Sequence, residues 1–180
     1  GKVPMIMSPS PYEEELLQPT YAQLGGLFQI SSNGTFYKIT GYNKLERSYD
    51  DGQSWERIYT FGHSVLSFYI SQYMGMDYLW VGVDGGLVYR SIDGGIEFDV
   101  SLRMDTEKSA TRWSYASMDD VILIGEYGLA TRPAAVHKST DGGESWSIVF
   151  NTSAYHALAG AHIHLVSIDP YDGWYYLGVG

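Results

Sequence analysis

The stretch "KSTDGGESW", Lys138 to Trp146, has two looser copies upstream, "RSYDDGQSW" at Arg47 to Trp55 and "RSIDGGIEF" at Arg90 to Phe98. Aligned, the three read Ser48-x-Asp50-x-Gly52-x-x-Trp55, Ser91-x-Asp93-x-Gly95-x-x-Phe98 and Ser139-x-Asp141-x-Gly143-x-x-Trp146. The pattern is the chemistry of a turn. A carboxylate accepts N–H groups of its own loop, a glycine permits positive φ, and the terminal aromatic packs the loop down. These twelve residues are therefore expected to do structural work, with Asp141 tying its own loop.

Each copy is flanked by apolar-rich alternating runs, "YNKLERS", "GLVYRS" and "AAVHKS" before it and "WERIYTF", "FDVSLRM" and "WSIVF" after it. Each is thus the turn of a β-hairpin. The aspartates stand 43 and 48 residues apart, a repeat length that suits one four-stranded blade of a β-propeller. Composition agrees. The 180 residues include 21 Gly and 16 Tyr and are 44% hydrophobic, which favours many short strands joined by tight turns over helices. The expected fold class is all-β, a propeller of four-stranded antiparallel blades.

Blade one is expected over residues 21–61, with inner strands at Gly26 to Ile30 and Thr35 to Thr40 around the turn "SSNG". Blade two covers 65–104, with strands at Val65 to Ser71, Tyr78 to Val83 and Leu87 to Ser91. Blade three covers 112–151, with strands at Arg112 to Ser117 and Val121 to Glu126, then the excursion "YGLATRPAA" before Val136 to Ser139. A fourth begins at 162–180, where His162 to Ile168 and Trp174 to Val179 flank "DPYDG". About three and a half blades result, whereas closed propellers have four or more. Three readings stay open: part of a larger propeller, a four-blade ring completed by the first 20 residues, or a ring shared between chains. Residues 1–20 carry Pro4, Pro9, Pro11 and Pro19, which rules out a long helix and suggests an extended arm with at most a helical turn at Glu13 to Leu17.

The turn pattern resembles the Asp-box, or bacterial neuraminidase repeat, of sialidases, xyloglucan-degrading enzymes and other secreted propellers. The resemblance implies a box on the outer hairpin of each blade, away from the central cleft, and it implies an architecture without fixing an activity. It also implies an extracellular or particle-surface setting. Sialidases further carry an arginine triad, a Tyr–Glu pair, an acidic Asp and an Arg-Ile-Pro segment. No Arg-Ile-Pro occurs here, and only Arg112 is expected on an inner strand. Complete sialidase catalysis is not expected of this chain alone.

A ligand is expected in the central depression, on inner strands and the blade-three insertion. The candidates there are Arg112, Trp113, Tyr115, Glu126, Tyr127 and Arg132, with His137 beside them. A guanidinium fork for a carboxylate and ring faces for a sugar would suit an acidic glycan, and the competing reading is a surface ion pair with ordinary core aromatics. His162 and His164 share a strand face by period-two alternation, with His156 upstream. No third ligand completes a metal site, so glycan contact is preferred, and neither metal nor cofactor is expected. For hydrolysis a carboxylate pair would have to come from Asp77, Asp84, Asp119, Asp120 and Glu126. Two glycosylation patterns occur, at Asn33 and Asn151, of which Asn33 reads more simply as a hairpin turn.

The net charge of −10 without a basic stripe excludes a nucleic-acid partner. No apolar run is long enough to span a bilayer, and "VPMIM" is too short for a signal-peptide core, so a mature or trimmed chain is expected. Zero cysteines remove disulfides and thiolate sites. The chain reads as a module recognising a glycan or a protein, with self-association or a remainder of the propeller as further partners. The alternative is a sialidase-like glycoside hydrolase whose site other blades or another chain complete.

Overall fold

The computed structural model describes residues 27–105, 108–128, 133–154 and 161–180. The proline-rich arm, Arg132 and His156 lie outside the described residues. The strands are β1 (Phe28–Ile30), β2 (Phe36–Thr40), β3 (Lys44–Ser48), β4 (Glu56–Thr60), β5 (Val65–Tyr73), β6 (Met76–Val83), β7 (Leu87–Ser91), β8 (Asp99–Arg103), β9 (Lys108–Ser109), β10 (Tyr115–Met118), β11 (Val121–Gly125), β12 (Tyr127–Gly128), β13 (Ala135–Ser139), β14 (Ser147–Asn151), β15 (Ile163–Ile168) and β16 (Tyr175–Val179). They form three antiparallel four-stranded sheets, β1-β2-β3-β4, β5-β6-β7-β8 and β10-β11-β13-β14, and the two-stranded sheet β15-β16. The inner strands β1, β5, β10 and β15 lie side by side in that order. This is a partial β-propeller: three blades and the inner half of a fourth, which do not close a ring among the described residues.

Strand alternation builds the blade stack. In β6, Leu79, Val81 and Val83 join Tyr37, Ile39 and Leu45 of the first blade in one core cluster. The intervening Tyr78 and Trp80 join Tyr115, Ile122 and Ile124 of the third blade in the next. In β11, Leu123 turns the other way, onto Ile163 and Val166 of the fourth. Period two thus sends alternate side chains into opposite interfaces, and the hydrophobic core is the set of surfaces between blades. One interface also holds polar pairs: Ser67 with the Tyr115 hydroxyl at 2.9 Å, and the Tyr69 hydroxyl with Ser117 at 2.9 Å.

The three repeated turns fold alike. Ser139 Oγ donates to Asp141 Oδ1 (2.7 Å) and accepts from Gly143 N–H (2.8 Å). Asp141 then accepts from the Ser145 N–H (3.0 Å) and hydroxyl (2.5 Å). Ser48, Asp50, Gly52 and Ser54 repeat the arrangement, and so do Ser91, Asp93 and Gly95, with the Glu97 N–H in place of the serine. The glycines have φ of 82°, 89° and 87° at Gly52, Gly95 and Gly143, the left-handed region that other residues occupy at a cost.

The second and third turns also dock on the blade before them. The Gly142 and Gly143 carbonyls accept from Arg90 Nη1 (2.7 Å) and Ser101 Oγ (2.6 Å) of blade two, and the Gly94 carbonyl accepts from the Tyr37 hydroxyl (3.3 Å) of blade one. Trp146 packs edge-on against Trp80, and Phe98 against Tyr59 and Phe61. A Cβ on Gly143 would sit 2.5 Å from Trp80, and one on Gly95 2.7 Å from Ile58. On Gly52 it would meet nothing closer than its own Trp55, at 3.3 Å, with Phe36 at 3.8 Å. Trp55 turns back to donate to the Gly52 carbonyl (2.9 Å).

Two strand expectations change. The inner strand of blade three begins at Tyr115, not Arg112, because Ser114 Oγ bonds both the N–H and the carbonyl of Thr111 (2.7 Å each) and holds residues 111–114 in a turn. The excursion after Glu126 is also more than a loop, since β12 pairs with β9 to make a small extra ribbon.

Gly143→Ala and Gly95→Ala are expected to cost about 2–4 kcal/mol, combining positive φ with overpacking, and Gly52→Ala only about 1 kcal/mol; chemical denaturation of the three variants measures the order. The carboxyls of Asp50 and Asp141 are each pulled down from 3.8 to about 2, chiefly by the hydroxyl and then the N–H of Ser54 and Ser145. Their ionised form therefore stabilises the fold fully above the ordinary carboxyl value, and that contribution is lost as pH falls through about 2. Asp141→Asn should flatten the acid limb of stability measured by denaturation between those values.

Candidate functional site

Antiparallel connectivity gives each blade two ends. The turns from first to second strand and the three Ser-x-Asp-x-Gly turns share one end; the turns from second to third strand and the links between blades share the other. The carboxylates open to choice divide accordingly. Asp77, Asp119 and Asp120 lie at the repeated-turn end, where Asp77 accepts from the Ser32 N–H (2.9 Å) and hydroxyl (2.8 Å). Asp84 lies at the far end on blade two, 3.0 Å from His63 Nδ1. Glu126 lies at the far end on blade three.

The far end of blades three and four gathers most of the sequence candidates. Glu126 follows β11 directly, and its N–H bonds the Ala135 carbonyl (2.9 Å) while its carbonyl accepts from Ile163 of the fourth blade (2.9 Å). Its side chain is buried, 5% exposed, and both oxygens are engaged: Oε1 with His137 Nε2 (2.8 Å), Oε2 with Lys108 Nζ (2.5 Å) and the Ala135 N–H (2.9 Å). Lys108 Nζ also donates to the Pro133 carbonyl. Burial pushes the Glu126 carboxyl up, but the hydrogen bonds from His137 and Lys108 outweigh it and hold it below its usual value. Glu126 is therefore an ionised anchor that ties the β9–β12 ribbon and the Pro133 segment to the blade. It does not present its carboxylate to a ligand. Lys108, its partner across the ribbon, carries no sequence signal, because nothing in "TEKSA" marks it as paired.

Tyr115 is interior as well, stacked on Tyr69 with ring centres 5.4 Å apart, and burial pushes its hydroxyl up. The accessible candidates are Arg112, Trp113, Tyr127, His162 and His164. Tyr127, His162 and His164 form a ring cluster, with centroids 4.2 Å apart for Tyr127–His162, 5.5 Å for Tyr127–His164 and 4.6 Å for the two histidines. A bulge between Ile163 and Leu165 exposes His164, while His162 is held by reciprocal backbone bonds with Gly180 (2.9 and 3.1 Å). His162 Nδ1 is buried without a hydrogen-bond partner among the described residues. Burial and then the neighbouring His164 push its imidazole below the usual value, so His162 is neutral near pH 7. Trp113 is 65% exposed, and its carbonyl accepts from the Val166 N–H (3.0 Å), on the strand that carries His164. Arg112, beside it, is exposed and makes no ion pair with the described residues. Among the described residues no group of three or more His, Asp or Glu is placed to hold a metal ion.

Solved structures match the chain over most of its length. An α-L-arabinofuranosidase of family GH93 from Fusarium graminearum, in complex with arabinobiose, matches at a TM-score of 0.51 with 13% identity over 85% of this chain and 60% of that one. YCF48 bound to a D1 peptide matches at 0.54 with 14% identity over 84% and 46%. A GH74 xyloglucanase from Xanthomonas campestris matches at 0.54 with 16% identity over 88% and 30%. The fold is a β-propeller. This propeller chain spans between 30% and 60% of the length of those three structures. No protein-family model matches its sequence, and no curated protein does.

Removing the Glu126 carboxylate strands a buried ammonium. Glu126→Ala is expected to destabilise the propeller by about 3–5 kcal/mol, with Glu126→Gln recovering part of the loss through the Ala135 N–H. Urea unfolding of both variants gives the comparison.

Proposed function

We propose that the chain is an Asp-box propeller module that recognises a glycan or a protein, as part of an extracellular or particle-surface assembly. The observation that carries this reading is the exposed Trp113, bonded through its carbonyl to the strand that carries His164 of the Tyr127–His162–His164 ring cluster, at the end of the blades away from the repeated turns. An exposed indole face suits the C–H face of a sugar or an apolar side chain. The neutral His162 adds a ring N–H, and Arg112, which makes no ion pair with the described residues, adds a guanidinium for an acidic group. Two of the similar structures were solved with ligands, one with a disaccharide and one with a peptide, which supports ligand recognition as a use of this fold.

Hydrolysis by these blades alone has less support. A glycosidase sets two carboxyl groups on either side of the scissile bond, and here Asp77, Asp84 and Glu126 are each engaged by neighbouring groups of the fold. Glu126 is moreover ionised and saturated with donors. No helix of the described residues is long and apolar enough to cross a membrane.

A glycan array followed by calorimetry on the best ligand tests the proposal. Trp113→Ala is expected to weaken binding by at least about tenfold and to leave the thermal midpoint unchanged, because the ring is largely exposed. Undiminished binding by that variant would overturn the assignment of the face. Turnover of chromogenic glycosides that disappears in a folded Glu126→Gln variant would overturn recognition as the primary role.

A further inference from the structure

The seven turns at the repeated-turn end carry a single sign of charge. Residues 31–35, 49–55, 74–75, 92–98, 119–120, 140–146 and 169–174 hold ten Asp and Glu and no Lys, Arg or His. The other residues hold eleven acids against eleven Lys and Arg, so the rest of the chain is balanced and this end accounts for the net charge of −10. Two arginines stand just inside it and are already engaged, Arg47 with Glu56 at 2.5 Å and Arg90 with Glu144 at 2.8 Å. Among the described residues these acids gather at no metal position. The charge is spread over a face.

Two grooves open on that face, each between blades whose four strands are all present. One, of about 600 Å³, lies between blades one and two and is lined by the exposed Tyr49, Met76, Ile92 and Ile96 with Asp77 and Asp93. The other, of about 650 Å³, lies between blades two and three and is lined by Ile70, Met74 and Met118 with Asp119 and Asp120. The tip of the β5–β6 hairpin, Met74 to Met76, is the ridge between them, and Gly75 lines both. Met74 is 76% exposed and holds φ of 50°, a left-handed turn position that asparagine or glycine suits better than a bulky side chain. Neither burial nor turn geometry asks for methionine there. A flexible, polarisable thioether does suit contact with apolar side chains of varied shape.

We propose that these two grooves form a docking surface for an extended lysine- and arginine-rich segment of a second protein, whose apolar side chains enter the grooves on either side of the Met74 to Met76 ridge while its cations lie along the acidic turns. Charge complementarity selects the occupant. A second copy of this chain brings the same net charge of −10, and residues 1–26 bring Glu13, Glu14 and Glu15 against the single Lys2. Like charge opposes both. The surface lies at the opposite end of the blades from Trp113 and the histidine cluster, so its partner leaves the candidate recognition face open.

The probe is a fluorescein-labelled nonapeptide of alternating lysine and leucine, titrated by anisotropy against the full chain, with glutamate–leucine and lysine–serine nonapeptides for comparison. Saturable binding of the first alone is expected, with slowed amide hydrogen exchange at Tyr73 to Asp77. It should weaken at least about tenfold in about 1 M salt, where the Debye length falls to about 3 Å. Met74→Asn, which keeps the left-handed turn, and the pair Asp119→Asn with Asp120→Asn should each weaken it by at least about fivefold. Their thermal midpoints should stay at the wild-type value, because these side chains are exposed, so lost binding cannot be assigned to unfolding. Absence of binding, equal binding of either comparison peptide, or indifference to these substitutions would refute the proposal. So would a dimer of the chain that Met74→Asn dissociates, or a synthetic peptide of residues 1–26 that binds as tightly as the basic probe, because the surface would then serve the chain itself.

Discussion

The structure depends on a glycine backbone pressed against the blade before it. At Gly143 there is no room for a β-carbon beside Trp80, and the adjoining carbonyls accept from Arg90 and Ser101. A flat apolar contact between sheets can slide, but a carbonyl met by a directed donor cannot do so without losing the bond. The internal Ser–Asp network holds the turn in the conformation that makes the contact, so that the loop is rigid before it docks. The repeated motif is thus an intrablade brace and an interblade key at once. That dual use explains why the motif asks for glycine at a fixed place, where a turn alone would tolerate asparagine.

This arrangement separates the braces of the fold from the candidate recognition face in space. The repeated turns and the aspartates that serve them occupy one end of the blades, and the extra ribbon, the exposed tryptophan and the histidine cluster occupy the other. Buried charge at the second end is spent on architecture, because Glu126 neutralises Lys108 and orders the segment that carries Tyr127. The candidate recognition face is therefore aromatic and donor-rich, with its buried carboxylate turned inward.

Local signals made much of the fold legible. Turn chemistry and period-two alternation placed the outer hairpins and β6 closely, because both are written in neighbouring residues. The start of β10 was not readable, since a serine hydroxyl that captures Thr111 looks no different in sequence from one facing solvent. Glu126 was picked out as chemically notable, but its role depends on Lys108, which reaches it through a ribbon whose pairing is non-local. Tyr115 stood among polar candidates and proved interior, because its hydroxyl is satisfied by Ser67 on a different blade. The rings of His162 and His164 lie 4.6 Å apart, but the bulge between Ile163 and Leu165 that exposes His164 has no mark in the sequence.

The paired hydroxyls between blades two and three have a mechanical meaning. Ser67 with Tyr115 and Tyr69 with Ser117 are set along two neighbouring inner strands, each tyrosine answering a serine on the other. A slip of one residue between those strands would leave the buried hydroxyls of Ser67 and Tyr115 unmatched, at about 1–3 kcal/mol apiece. The ladder works as a vernier, admitting one alignment of the blades and rejecting intermediate ones. Length changes can then accumulate in the loops at either end, as the blade-three excursion already has, while the inner strands keep a common origin from which every loop is measured.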